Sequence, residues 1–325
     1  MRRAAALGVS AALAAVLSAT GTRLASSQVP TIAAFRVEGA AVPARDPWAR
    51  FWDRVPLVDV ALSAQTATPP MGGRRLSLRA GAVHDGETLY VLVEWPDARP
   101  DRDASGLRAF SDAAAVQFPA PGGQRIPAFC MGDPGATVNI WQWRAAWQAD
   151  VRRGFQGTVE DLYPRAVVDL YPFRGEDVFY PARALGNPLS QVDRASAVDN
   201  LVAAGFGTLT PDPFPAVEGW GAWRDGRWRV VFSRPFSVAR EGNVQFHVFD
   251  RTDVAFAVWD GGAGERDGMK SVSAFTALDV RDEPLDLGPR FPYWPAPYFV
   301  VLAVLALSGA LGAADLRRGR RWRTG

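Results

Sequence analysis

Two side chains in this sequence could serve soft-metal or redox chemistry. Lys270 is the only lysine, and every other strongly basic side chain is arginine. Lysine can give up its proton when it is buried or bound to a metal, whereas arginine stays charged. A lone lysine on an ordered loop is therefore a candidate for work that arginine cannot do. Its chance survival in an arginine-biased chain is the competing account. Met131 is one of four methionines and stands in Pro127-Ala-Phe-Cys-Met-Gly-Asp-Pro134. A thioether is a soft ligand suited to haem iron or copper, although methionine more commonly fills cores. The two histidines, His84 and His247, could each ligate iron or act as hydrogen-bonded structural groups. His84 is expected at a strand end near solvent and His247 in the middle of a strand.

Much other chemistry is excluded. A single cysteine, Cys130, rules out an internal disulfide, a cysteine-ligated zinc or iron–sulfur site, and Cys-x-x-Cys-His haem attachment. The glycines from 261 to 268 lack dinucleotide-binding spacing and a βαβ setting. Asp250, Asp253 and Asp260 fall near strand ends, where turn chemistry accounts for them. No nucleophile–base pair or acid/base carboxylate couple stands out. The formal charge of +2 and the absence of a basic stripe argue against a nucleic-acid partner.

The elements that must position Met131 and Lys270 read as short strands. The chain has 325 residues, 48% hydrophobic and 22% charged, which suits a packed globular protein. Alternating or β-prone runs lie at 55–62, 76–84, 89–95, 113–118, 138–144, 226–233, 243–250 and 254–259, bounded by Gly, Pro and Asp. Asp85-Gly86 marks a hairpin. Residues 150–220 read as long ordered loops rich in Pro and Gly. The fold class expected is all-β, an immunoglobulin-like β-sandwich over residues 28–290. Val254 to Phe275 reads as strand, glycine-rich loop, strand, with the loop delivering Lys270.

The ends read as targeting and anchoring segments. Arg2-Arg3 and the apolar run Ala4 to Ala19 predict a signal peptide over 1–27, with an uncleaved anchor as the alternative. Residues 297–314 form an apolar run that as a helix would span roughly 27 Å. Tyr293, Trp294 and Tyr298 precede this expected transmembrane helix, and arginines 317, 318, 320, 321 and 323 follow it. The positive-inside rule makes 315–325 a cytoplasmic tail and the preceding domain periplasmic.

Several collinear segments together resemble one family. They are Leu78-Arg-Ala-Gly-Ala-Val-His-Asp-Gly86 through Val93-Glu-Trp-Pro-Asp97, Met131-Gly132 with Val138-Asn-Ile-Trp-Gln-Trp143, Ala184-Leu-Gly-Asn-Pro188, Gly205-Phe-Gly-Thr-Leu-Thr210, Gly226-Arg-Trp-Arg-Val-Val-Phe232, and Ala255-Phe-Ala-Val-Trp-Asp-Gly261 through Lys270-Ser-Val-Ser273. The chain resembles the haem b-binding γ subunits of type II DMSO-reductase-family molybdoenzymes, which include those of ethylbenzene, selenate, chlorate, dimethylsulfide and nitrite/nitrate oxidoreductases. The resemblance implies a β-sandwich holding one non-covalent haem b, with Met131 and Lys270 at the positions of the axial ligands. It implies a non-catalytic electron-transfer subunit, passing electrons between an iron–sulfur β subunit and a periplasmic cytochrome c, beside a molybdopterin α subunit. The nitrite/nitrate type is the nearest reading, and the C-terminal span departs from the soluble members. Phe129, Ile140, Phe256, Val258 and Phe275 are the pocket-wall candidates from strand context. A stand-alone membrane-tethered haem redox or sensor module, or a haem-free adhesion or carbohydrate-binding sandwich, are the alternatives.

Overall fold

The computed structural model describes residues 30–38, 42–106, 108–123, 125–154, 165, 181–185, 187, 190–212 and 216–287. The expected signal peptide, transmembrane helix and basic tail lie outside these residues. No helix among the described residues is long and apolar enough to cross a membrane. The chain divides into two units, Met1–Pro284 and Leu285–Gly325; the strands among the described residues belong to the first.

Among the described residues fourteen strands follow one another along the first unit. They are β1 (Thr31–Arg36), β2 (Val58–Ala61), β3 (Ser63–Ala64), β4 (Ser77–His84), β5 (Thr88–Pro96), β6 (Ala113–Pro119), β7 (Val138–Arg144), β8 (Val198–Ala203), β9 (Thr210–Pro211), β10 (Glu218–Arg224), β11 (Arg227–Pro235), β12 (Arg251–Trp259), β13 (Ser271–Val272) and β14 (Thr276–Pro284). The order β10-β11-β5-β4-β1-β14 makes one sheet, and β12-β6-β7-β8-β9 makes the other. Strand β12 joins them: Arg251–Val254 pairs with β14, and Ala255–Trp259 pairs with β6. A strand that changes sheets is one way a sandwich turns its corner.

Turn chemistry fixes the hairpins. Asp85 Oδ1 accepts the N–H groups of Glu87 (2.9 Å) and Thr88 (2.7 Å), and Gly86 takes φ 98°. Asp225 and Gly226, at φ 48° and 78°, close β10–β11, the pair of positive φ values that suits strand twist.

The two sheets bury a tryptophan core. Trp228 of β11 stacks on Trp95 of β5 at 6.2 Å, and Trp143 of β7 meets Trp228 edge-on at 5.1 Å. Trp143 lies so close to β10 that a Cβ on Gly221 would stand 2.3 Å from its ring. Its indole donates to Gln148 Oε1 (2.7 Å), and Gln148 also bonds the Gly221 backbone at both N and O.

Three expectations are corrected. β1 runs parallel to both β4 and β14, so the sandwich differs from the antiparallel immunoglobulin arrangement. Residues 150–220 are not all loop: the helix Ala145–Arg153 extends into them, and they contain β8, β9 and the start of β10. Val198–Ala203 is interrupted by Asp199 and Asn200, which hides its alternation from a hydrophobic reading. Residues 243–250 form no strand; His247 and Asp250 make a turn there, with Phe249 at φ 75°.

Candidate functional site

Period-two alternation gives the second sheet two different faces. Ala114, Val116, Phe118, Trp141, Trp143, Phe256 and Val258 point into the sandwich core. The opposite residues, including Ala113, Ala115, Ile140, Leu201 and Trp259, form a separate apolar cluster that also holds Ala257 and Met131. In register, Ala115 sits between Ala257 and Gln142, and Ala113 between Trp259 and Arg144. Alanines at the centre leave a low floor beneath a cavity of about 1170 Å³. That exceeds the roughly 300–1,000 Å³ of ordinary ligand pockets. Met131 and Lys270 both line it.

A glutamine holds the methionine in place. Met131 has φ 68°, a conformation that a non-glycine residue keeps only when its surroundings over-determine it. Gln117, on the floor face of β6, accepts from Met131 N (3.2 Å) and donates to Phe129 O (3.0 Å). Gly205 N donates to Met131 O at 2.9 Å. The next residue must be glycine: Gly132 has φ 69°, and a Cβ there would lie 2.7 Å from Ala136 O.

The lysine loop has its own glutamine. Gln65 is fully buried, and its Nε2 donates to Gly268 O (2.9 Å) and Thr68 O (2.8 Å). Backbone bonds Gln65 N→Lys270 O and Lys270 N→Gly72 O, both 3.0 Å, complete the clamp. A Cβ on Gly73 would fall 2.3 Å from Lys270 O, so the two loops pack backbone to backbone.

Lys270 is 7% exposed, with Nζ 5.1 Å from the Trp259 ring centroid. Among the described residues no carboxylate pairs with it within 4 Å. Burial pulls its pKa below the ordinary lysine value, while Cys130 and Asp267 push it back up. Lys270 in turn lowers the Cys130 thiol, which burial raises. The loop carrying Cys130 and Met131 and the loop carrying Lys270 therefore face the same space. The pair offers a thioether and an amine whose pKa burial lowers, at one cavity with an apolar floor, a donor set that fits haem iron.

Beside this cavity Asp97, Asp112 and Asp260 converge, with one oxygen from each within 4.8 Å of the others. Arg75 already supplies a cation, 3.0 Å from Asp97 and 2.8 Å from Asp260. Burial, helped by the charge of Asp97, raises Asp112 to about 7 against N–H donors from Asp101, Gly261 and Trp228. Since the folded value lies above the unfolded one, the unfolded chain sheds this proton first. Stability is then expected to fall as pH rises from about 4 to about 7, by on the order of 3–4 kcal/mol. Denaturant midpoints for wild type and Asp112→Asn at pH 5 and 7.5 check this; an equal slope in both would contradict it.

The sequence model described as ethylbenzene dehydrogenase matches residues 49–271, a span that includes Met131 and Lys270. The chain belongs to the ethylbenzene dehydrogenase family. It is 32% identical to the putative respiratory nitrate reductase heme subunit ORF7 of Haloferax mediterranei over 83% of this chain and 77% of that protein. It is 29% identical to the chlorate reductase subunit gamma of Ideonella dechloratans, covering 84% and 94%. Identity to the dimethylsulfide dehydrogenase subunit gamma of Rhodovulum sulfidophilum is 28%, covering 70% and 72%.

In this ethylbenzene dehydrogenase family member the cavity gathers Met131, Lys270 and Ile140. It does not gather the other wall candidates. Phe256 and Val258 face the sandwich core, one residue out of phase with the floor. Phe129 is 43% exposed, and Phe275 is half-buried away from the cavity lining. His84 is fully buried rather than near solvent, its Nε2 2.7 Å from Arg281 O and its Nδ1 accepting from Gly86 N. His247 is exposed and paired with Asp250 at 3.0 Å. Asp260 caps a short turn by accepting from Ala263 N. Sequence reasoning missed Gln65, Gln117, Arg144, Trp147 and Arg194. The alanine run 113–115 was the one signal of the floor, since small residues on alternate strand positions leave room for something to lie against the sheet.

Proposed function

We propose that this chain is the non-catalytic haem b subunit of a molybdenum oxidoreductase complex, with Met131 and Lys270 as the axial ligands of one non-covalent haem. The observation that carries the reading is a buried lysine with no carboxylate partner among the described residues, on the same cavity as a methionine whose loop is clamped in a costly backbone conformation. Haem b bound there would supply a one-electron ferric/ferrous couple. Lys270 would bind as the free amine, and its burial lowers the cost of losing the proton. Gln117 and Gln65 would hold both donors still, so little would rearrange when charge moves. The low floor and Ile140 would exclude water and help set the potential.

The relatives' names support membership of a multi-subunit complex. An iron–sulfur β subunit would exchange electrons with this chain beside a molybdopterin α subunit, with a periplasmic cytochrome c on the other side. The similarity to a nitrate reductase heme subunit favours a nitrite/nitrate type. A tail-anchored periplasmic placement remains part of the proposal and rests on residues 297–325 of the sequence.

Absorption and EPR spectra of the full-length protein test the ligands. Wild type should show a low-spin haem, and Met131→Ala should convert it to a largely high-spin form with the same thermal unfolding of the haem-free chain. A low-spin spectrum untouched by Met131→Ala would falsify the sulfur assignment.

A further inference from the structure

One end of the cavity is built for an anion. Arg144 closes β7 on the floor side, and the helix that begins at Ala145 brings Trp147 and Asp150 next to it, three residues apart and so on one face. Arg194 arrives from the segment before β8. Both guanidinium groups rest on the Trp147 ring, at 4.4 Å and 3.9 Å from its centroid. Arg144, Trp147, Asp150 and Arg194 all line the cavity.

The two guanidinium groups are short of hydrogen-bond acceptors. Arg194, with its side chain 7% exposed, forms a long ion pair with Asp150 at 3.6 Å. Arg144 donates to the neutral Gln142 Oε1 at 3.1 Å. The Nε atoms of both arginines are buried without a hydrogen-bond partner. Asp199 lies opposite Gln142 in the β7–β8 register, yet among the described residues it makes no ion pair within 4 Å. Burial raises Asp199 to about 6 despite the two arginines. Two like charges on one ring, in a partly dry wall, are costly unless something else supplies acceptors. Guanidinium is the group that matches a carboxylate with two parallel N–H bonds.

We propose that Arg144 and Arg194, set side by side on Trp147, form a carboxylate-binding subsite that takes the acid side chains of the porphyrin. This rests on the haem reading above. The subsite fixes which way round the macrocycle enters and stabilises it against loss. Trp147 holds both forks in position, and Asp150 keeps Arg194 from turning to solvent.

The test compares haem with its dimethyl ester, which keeps the iron and the macrocycle but has no carboxylate. Dissociation constants come from Soret titrations of the full-length haem-free protein. Wild type should bind the acid form roughly 10- to 100-fold more tightly than the ester, as expected when charged partners are lost. Arg144→Gln together with Arg194→Gln should weaken binding of the acid form by that factor and leave the ester unchanged. Arg194→Lys, which keeps charge but loses the fork, should fall between. An equal loss for both ligands, or no loss for either, overturns the subsite. The outcome is independent of the axial ligands: Met131→Ala and Lys270→Ala can fail to alter the spin state while the acid/ester preference persists, and the reverse.

Discussion

Lys270→Ala is expected to abolish the low-spin haem spectrum entirely while leaving the fold intact. The amine is the one strong nitrogen donor at the cavity, since His84 is bonded to Arg281 O inside the sandwich and His247 is exposed with Asp250. A second consequence separates ligand from structural residue. Burying this lysine costs the haem-free protein free energy, because burial lowers its pKa and the folded chain binds its proton less tightly than the unfolded chain does. That cost is present at neutral pH and fades as pH climbs toward the ordinary lysine value. Lys270→Met, which fills similar volume without the charge, should therefore stabilise the haem-free protein by about 1 kcal/mol or more, even as it destroys the haem site. Denaturant titration without haem, beside EPR with haem, reads both. A destabilised haem-free Lys270→Met protein would mean that the lysine serves the fold.

Arg234→Ala should produce a stability loss of about 3–5 kcal/mol. Arg234 is fully buried in β11, and burial drops its pKa to about 10. Its guanidinium donates to Asn139 Oδ1 (3.3 Å), Phe236 O (3.3 Å) and Val244 O, and Nε donates to Pro235 O (3.0 Å). Trp141 and Phe246 flank it at 5.3 and 5.1 Å. Among the described residues no carboxylate pairs with it, so its role is to satisfy carbonyls where two sheets and the 243–246 segment meet. Removing it leaves those acceptors dry and opens a void between two rings. Arg234→Met should recover the packing part only. A midpoint shift in guanidinium chloride equivalent to less than about 1 kcal/mol would show that water replaces the guanidinium.

How much of this was legible follows from which signals are local. Strands such as Thr88–Pro96 and Val138–Arg144 were clear because β-prone runs and Asp-Gly or Pro boundaries lie within a few residues. The choice of inward face was not. Phe256 and Val258 looked like pocket walls because large apolar residues usually mark the buried side, but β12 is covered on both sides, by the sandwich core and by the cavity. Alternation cannot say which buried side holds a ligand. Residues 243–250 carried a strand pattern, yet Asp250 captures the His247 N–H and turns the chain. His84 seemed exposed because it precedes a turn, but its neighbours Arg281 and Phe236 come from elsewhere in sequence. The lone lysine and the Met-Gly loop were visible as oddities of composition; the glutamines that hold them were not, since each acts across the fold, Gln65 on Gly268 and Gln117 on a loop a dozen residues away.

The pairing of β6 with the second half of β12 sets when a ligand can be captured. These strands are separated by more than a hundred residues of chain, and the floor, the methionine loop and the lysine loop come together only once Ala255–Trp259 has docked on Ala113–Pro119. Before that docking the chain lacks a complete cavity. A haem held as proposed would enter an already folded shell, so protein folded without it should still take one up when it is added later.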